Sequence, residues 1–201
     1  VVAGVYLVAR LLPMFEAAAG MMLIITFVGL ATAIYSGIVA FAQTDIKKVL
    51  AYSTVSQLGF MFVALGVGGV GAGMFHLFTH AFFKALLFLG AGSVILGTHH
   101  HQEMRNLGGL FRKMPITGTT FAIGSLALMG IFPLAGFWSK ETILSAVEHG
   151  PGSWAFILIS IASIMTAFYT VRLFLRIFMG TPQDTAVAEK THEPSLIMTG
   201  P

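Results

Sequence analysis

GAGMFHLFTHAFFKALLFLGAGSVIL (71–96) is the stretch on which the reading of this chain turns. It is apolar or small almost throughout and longer than the roughly 20 residues a helix needs to cross a hydrocarbon core. Yet it carries His76, His80 and Lys84. Their spacing is i, i+4, i+8. Each step turns a helix by about 40° and advances it by about 6 Å, so the three share one stripe about 12 Å long. Thr79 borders that stripe. A lysine at the centre of a span costs roughly 2.5–3.5 kcal/mol on insertion scales. Such residues face a bundle interior or a water-filled cavity and mark ion paths.

The residue types fit protons. Histidine titrates near neutral pH and passes a proton between its two nitrogens. A lysine removed from water can gain and lose a proton within a working cycle. Linked by ordered water, such groups make a relay. A plainer reading gives the histidines interhelical hydrogen bonds and lets the lysine snorkel. HxxxH is also a helical metal pair, but no Cys or carboxylate lies nearby in sequence, and no metal site is expected.

Composition agrees with a membrane setting. Of 201 residues, 56% are hydrophobic and 9% charged, against about 25% charged in an average soluble domain. Mean hydropathy is +0.87. The 23 glycines suit close helix packing in lipid. With no cysteine, disulfides, iron–sulfur ligation and a thiol nucleophile are excluded. The net charge of +3 offers no surface for nucleic acid. VVAGVYLVAR (1–10) has no charged n-region and reads as the end of a span, not a signal peptide. HEPSLIMTGP (192–201) reads as the start of another, so a fragment of a longer protein is expected.

The expected fold is an all-α polytopic membrane protein. Backbone groups in lipid must be satisfied internally, which favours helices, and the short alternating strands of a barrel are not seen. Residues 1–12 form the end of a truncated helix. Residues 20–179 form a five-helix unit, with helices at about 20–42, 46–68, 71–97, 116–147 (broken) and 153–179. Residues 180–201 form a linker and the start of a next helix. Loops 43–48 and 98–115, the tail and the nearby helix end carry Lys47, Lys48, Arg105, Arg112, Lys113, Lys190, Arg172 and Arg176. The opposite loops, 13–19, 69–70 and 148–152, have only Arg10 nearby, with Glu16 and Glu148. The basic side is expected to be cytoplasmic.

IFPLAGFWSKETIL (131–144) interrupts the long fifth span with Pro133 and Gly136. Proline removes a backbone donor and clashes with the preceding turn. Discontinuous helices near the midplane are a common ion-binding device of transporters. Lys140 and Glu141 follow the break. The acid suits a helix N-terminus, whereas a lysine there is disfavoured, as befits a switchable proton carrier. QTDIKKVLAYSTVSQLG (43–59) has two readings. Asp45 caps a helix anchored by Lys47 and Lys48, or it gates proton uptake, with Ser53, Thr54, Ser56 and Gln57 holding water deeper in. His99, His100 and His101 read as solvated loop, and Arg172 and Arg176 as snorkelling residues.

QTDIKKVLAYSTVSQLGFMFVALGVG (43–68), FHLFTHAFFKALLFLGAGSVIL (75–96), HHQEMRNLGGLFRKMPIT (100–117) and GIFPLAGFWSKETIL (130–144) together carry a resemblance. In this order and spacing they resemble the subunit L family of respiratory complex I, NADH-quinone oxidoreductase (subunit 5 in mitochondria). The same wider family of antiporter-like membrane subunits includes the Mrp cation/proton antiporters. The lysine at 140 and THAFFKALLF (79–88) favour this branch over the subunit M and N relatives; the Mrp large subunit is the alternative, and the loop HHQEMRNLGGL (100–110) favours complex I over it.

The resemblance implies an antiporter-like bundle with a discontinuous transmembrane helix, this chain being the second of two inverted repeats. It implies a proton relay through His76, His80 and Lys84, with Lys140 on the exit side and Glu141 in place of the usual Asp. Phe132-Pro133 stands where a Pro-Pro pair is common. NADH, FMN, iron–sulfur clusters and quinone are expected in other subunits, with no cofactor on this chain. The expected partners are the lipid bilayer and other membrane-arm subunits, especially subunit M, in the bacterial inner membrane. The first-repeat glutamate–lysine pair and the C-terminal lateral helix of the family are not in this sequence.

Overall fold

A computed structural model describes residues 2–150, 153–181 and 191–194. In chain order its α-helices are α1 (Val2–Arg10), α2 (Leu12–Ala17), α3 (Met21–Ala42), α4 (Ile46–Gly66), α5 (Val70–Gly97), α6 (Pro115–Met129), α7 (Ala135–Glu148) and α8 (Ser153–Phe178). Helices α3, α4, α5 and α8 are each long and apolar enough to cross a membrane. With 28 residues, α5 extends about 42 Å, more than the roughly 30 Å of a hydrocarbon core. Residues 13–17, expected in a loop, belong to α2, because Pro13 sits in its first turn, where proline costs no hydrogen bond.

Local chemistry sets the boundaries. Asp45 caps α4, its Oδ1 accepting from the Lys48 amide at 3.0 Å. Helix α6 has Pro115 in its first turn and no cap from its own flank. Its cap comes from far along the chain: the Glu193 carboxylate accepts from the amides of Ile116 and Thr117, both at 3.1 Å, and from the Thr117 hydroxyl. A carboxylate is favoured at this positive helix end. Gly130, at φ 83, ends α6 in the left-handed region that glycine adopts without steric cost. Four irregular residues, 131–134, then separate α6 from α7. The long fifth apolar segment is therefore a discontinuous helix.

Packing is closest between α3 and α4. A Cβ on Gly59 would lie 2.6 Å from the Ala33 amide nitrogen and from the Gly29 carbonyl. Small residues allow such an approach where lipid supplies no hydrophobic drive to association.

Apolar residues fall into three clusters; one packs Val5 and Leu12 against Leu58, Met61 and Leu65 of α4, and the other two lie at different levels of the bundle. One joins Val49 and Leu50 of α4 to Leu87 and Val94 of α5, Phe121 and Leu128 of α6, and Leu173 and Ile177 of α8. The other joins Leu30 and Ala33 of α3, Phe60 and Val63 of α4, Ile143 and Val147 of α7, and Ile159 of α8. Between these levels α4, α5, α7 and α8 each turn polar side chains inward: Ser53, Ser56, Gln57; His76, Thr79, His80, Lys84; Ser139, Lys140; Thr166, Thr170.

The loops of one bundle end lock together. The Ile46 amide donates to Gln102 O (3.1 Å), Met104 to Thr44 O (2.8 Å) and Gly109 to Met179 O (3.1 Å). Two 3-10 turns, Met104–Asn106 and Leu110–Arg112, fill this end. It gathers the basic loops that the sequence groups on one side.

Candidate functional site

The polar layer is a set of buried side chains drawn from α4, α5, α7 and α8. His76, His80 and Lys84 all point inward from α5, and Lys84 lies midway along it. Lys84 Nζ donates to Ser53 Oγ and, at 3.4 Å, to Leu50 O. One turn further along α4, Gln57 donates through Nε2 to Thr166 Oγ1 at 3.2 Å, and its Oε1 lies 3.1 Å from His76 Nε2. The other ring nitrogen of His76 is 2.9 Å from Ser139 Oγ, which also accepts from Thr79 at 2.9 Å. Since Gln57 Oε1 can only accept, His76 Nε2 carries a proton, and in the neutral ring Nδ1 then accepts from Ser139.

Ser139 ties this network to the broken helix, because Lys140 is the next residue. Lys140 Nζ does not face the positive start of α7, as the sequence reading supposed. It donates to Leu128 O at 2.7 Å and reaches Met129 O at 3.5 Å, the last carbonyls of α6. Lys140 is on the second turn of α7, and its long side chain reaches back across the break. There it satisfies carbonyls that the helix end leaves unpaired, at the negative pole of the α6 dipole, which favours the cation. Its ammonium also lies 5.6 Å from the centre of the Phe60 ring.

Two buried polar atoms in the layer make no hydrogen bond: His80 Nε2 and Tyr169 Oη. His80 is within electrostatic range of Lys84, His76 and Lys140, and its ring centre is 6.0 Å from that of His76. The Tyr169 hydroxyl lies near Thr166, Gln57, Ser56 and Ser53. His80 stands between His76 and Lys84 along α5, and the Tyr169 hydroxyl lies beside Ser53 of the one group and Gln57 of the other.

Residues 1–166 match the family described as the transmembrane region of NADH:quinone oxidoreductase and Mrp antiporters. The chain belongs to this family. It is 50% identical to the NADH-quinone oxidoreductase subunit L of Rickettsia bellii over 202 aligned residues, covering 100% of this chain and 31% of that one. It therefore spans about a third of the length of that relative. Among solved structures, it superposes on a chain of the membrane-bound sulfane sulfur reductase, an archaeal respiratory membrane complex, with TM-score 0.83. The identity there is 34%, over 90% of this chain and 30% of that one. It also superposes on a chain of the Mrp complex from Dietzia with TM-score 0.82 and 26% identity, over 89% of this chain and 34% of that one.

Within this NADH:quinone oxidoreductase/Mrp antiporter fold, the structure brings together four of the six predicted site residues: His76, His80, Lys84 and Lys140. Asp45 lies elsewhere, at the bundle end, where it caps α4 and its backbone bridges to Glu103. It is two turns of α4 from Ser53. Glu141 is exposed on the outer face of α7, while its neighbour Lys140 is buried. Ser53 and Gln57 face the layer as expected, Ser53 accepting from Lys84 while it donates to Leu50 O at 2.8 Å; Thr54 also bonds back to Leu50 O, at 2.9 Å, and Ser56 donates to Ala33 O of α3 at 2.9 Å. Ser139, Thr166 and Tyr169 were not singled out from the sequence. Ser139 precedes Lys140 directly, and TAFYT (166–170) places polar groups at i, i+3 and i+4 within an otherwise apolar span.

Proposed function

We propose that this chain is the proton-translocating part of a membrane-arm subunit of NADH-quinone oxidoreductase, the second antiporter-like repeat of a subunit L. Protons pass between Lys84 and Lys140 through His80, His76 and intervening water, while electrons move from NADH to quinone in other subunits that hold the FMN and iron–sulfur clusters. The observation that carries the reading is the buried layer itself: two lysines and two histidines inside an apolar bundle, one lysine closing a helix break. Each lysine in lipid costs kcal/mol that packing alone does not repay.

In this account Lys84 receives a proton from the basic bundle end, taken as cytoplasmic, with Asp45 at that mouth. His80 and His76 carry it across the layer. Lys140 holds it against the α6 carbonyls until a change in field releases it to the far side. Glu141 acts on Lys140 by its charge rather than by contact. Moving one charge against 100 mV takes about 2.3 kcal/mol. The surrounding complex, with subunit M as the neighbour, supplies that work.

The second reading, an Mrp-type cation/proton antiporter, draws on the superposition with the Dietzia complex. A sodium path calls for oxygen ligands. Among the described residues no carboxylate is buried, which favours protons as cargo of this unit.

The test is Lys84→Met in the complete complex in inverted vesicles, with NADH-driven proton uptake and NADH oxidation recorded together. The relay reading expects uptake per NADH to fall while the complex assembles. Unchanged uptake with unchanged oxidation would sink it.

A further inference from the structure

Helices α3 and α8 leave a cleft at the basic end of the bundle that the relay does not use. It has a volume of about 650 Å³, and its walls include Phe41, Phe168, Val171, Arg172, Leu175 and Arg176. A second cleft of about 270 Å³ shares Phe41 and Phe168 with it and continues along the bundle surface past Ile38 and Met165. Sharing Phe41 and Phe168, the two make a surface groove that is cationic at the bundle end and lined only by apolar residues at Ile38 and Met165.

Arg172 is held in place rather than free to snorkel. Its Nη1 donates to Gln43 O at 2.8 Å, the C-cap of α3, and its guanidinium lies 5.6 Å from the Phe41 ring centre. Arg176 follows one turn later on the same face, and Arg105 is within electrostatic range. Arg105 pairs with Glu103 at 3.7 Å. Among the described residues Arg172 and Arg176 have no carboxylate within ion-pair distance.

We propose that this groove binds an anionic phospholipid. Its phosphate sits between Arg172 and Arg176, and one acyl chain lies along Ile38, Met165 and Phe168. Charge selects the headgroup, since planar guanidiniums present paired donors that match phosphate oxygens. Basic pockets between transmembrane helices at the cytoplasmic face are suited to anionic headgroups. The apolar limb selects the tail. From Arg172 to Met165 the wall runs about 10 Å along α8, and nothing in it pairs with a peptide group.

The experiment uses the complete complex containing this subunit, reconstituted with a photoactivatable phosphatidylglycerol or phosphatidylcholine that carries the reactive group on an acyl chain. Adducts are mapped by peptide mass spectrometry. Labelling of residues 38–41 and 165–168 by the phosphatidylglycerol is expected to exceed that by the phosphatidylcholine by about fivefold or more. Arg176→Gln, which leaves the Arg172–Gln43 contact intact, is expected to lower it by about fivefold, from the attraction of one basic residue to an anionic surface. Equal labelling by both lipids, or labelling indifferent to Arg176→Gln, overturns the proposal. So does crosslinking of the cleft to another subunit in place of lipid.

Discussion

Lys140 Nζ lies 2.7 Å from the carbonyl oxygen of Leu128, across the gap between α7 and α6. The contact joins the broken helix to the buried polar layer. The carbonyls freed by the break need a donor, and the lysine needs compensation for leaving water. Each supplies what the other lacks. In the proposed relay, a proton leaving Lys140 weakens the closure of the break, and its return restores it.

Ser139 is the second join, because it bonds to His76 and Thr79 and directly precedes Lys140. Ser139→Ala leaves His76 Nδ1 without its partner, a loss of about 1–3 kcal/mol. Proton transfer through this unit is expected to slow by roughly tenfold on that basis, with assembly intact. Proton uptake per NADH oxidised in inverted vesicles checks this, and unchanged uptake would remove Ser139 from the route.

Asp45 separates two roles by one substitution. Asparagine caps helices as well as aspartate does, so Asp45→Asn keeps the α4 start and removes the charge. If the carboxylate gathers protons at the uptake mouth, pumping slows while the assembled complex keeps its abundance. Pumping unaffected by Asp45→Asn, alongside reduced assembly with Asp45→Ala, would leave Asp45 as a cap alone.

Gly59 tests the packing that holds the polar layer shut. Its Cβ position lies 2.6 Å from backbone atoms of α3, which no side-chain rotation relieves. Gly59→Val is expected to cost about 1–3 kcal/mol or more by overpacking. Native gels of the solubilised complex would register this as lost assembly. A fully assembled, fully active variant would contradict the close α3–α4 contact.

Glu193 caps α6 from 76 residues away in the chain. Glu193→Gln removes the charge at the helix N-terminus, worth about 0.3–1 kcal/mol. Amide exchange in residues 116–119 should quicken severalfold, with the rest of the bundle unaffected. Exchange indifferent to this change would rule out the cap as a stabilising contact.

Much of this was legible in the sequence where the information is local. The His76–His80–Lys84 stripe follows from helical spacing on one element. The break follows from Pro133 and the glycines near it. What stayed hidden depends on which distant segments meet. The Lys140 side chain could be placed near the wrong pole of a helix dipole because its acceptors belong to α6, not to its own helix. Tyr169 and Thr166 were masked by the high hydropathy of α8, and only the fold turns them toward Gln57 and Ser53. Glu193 has no local signature as a cap, since its partners begin another helix. Arg172 looked like a snorkelling residue until Gln43 and Phe41 were seen beside it.

The central claim is that Lys140 belongs to the proton route and does not merely fasten the break. The most direct measurement is NADH-driven proton uptake beside NADH oxidation in inverted membrane vesicles carrying the complete complex with Lys140→Ala. Loss of one proton-transfer group typically slows a step by 10²–10⁴-fold. Proton uptake per NADH is therefore predicted to fall sharply with the complex assembled. Uptake and oxidation both equal to the unsubstituted complex would contradict the account and leave Lys140 a structural clasp.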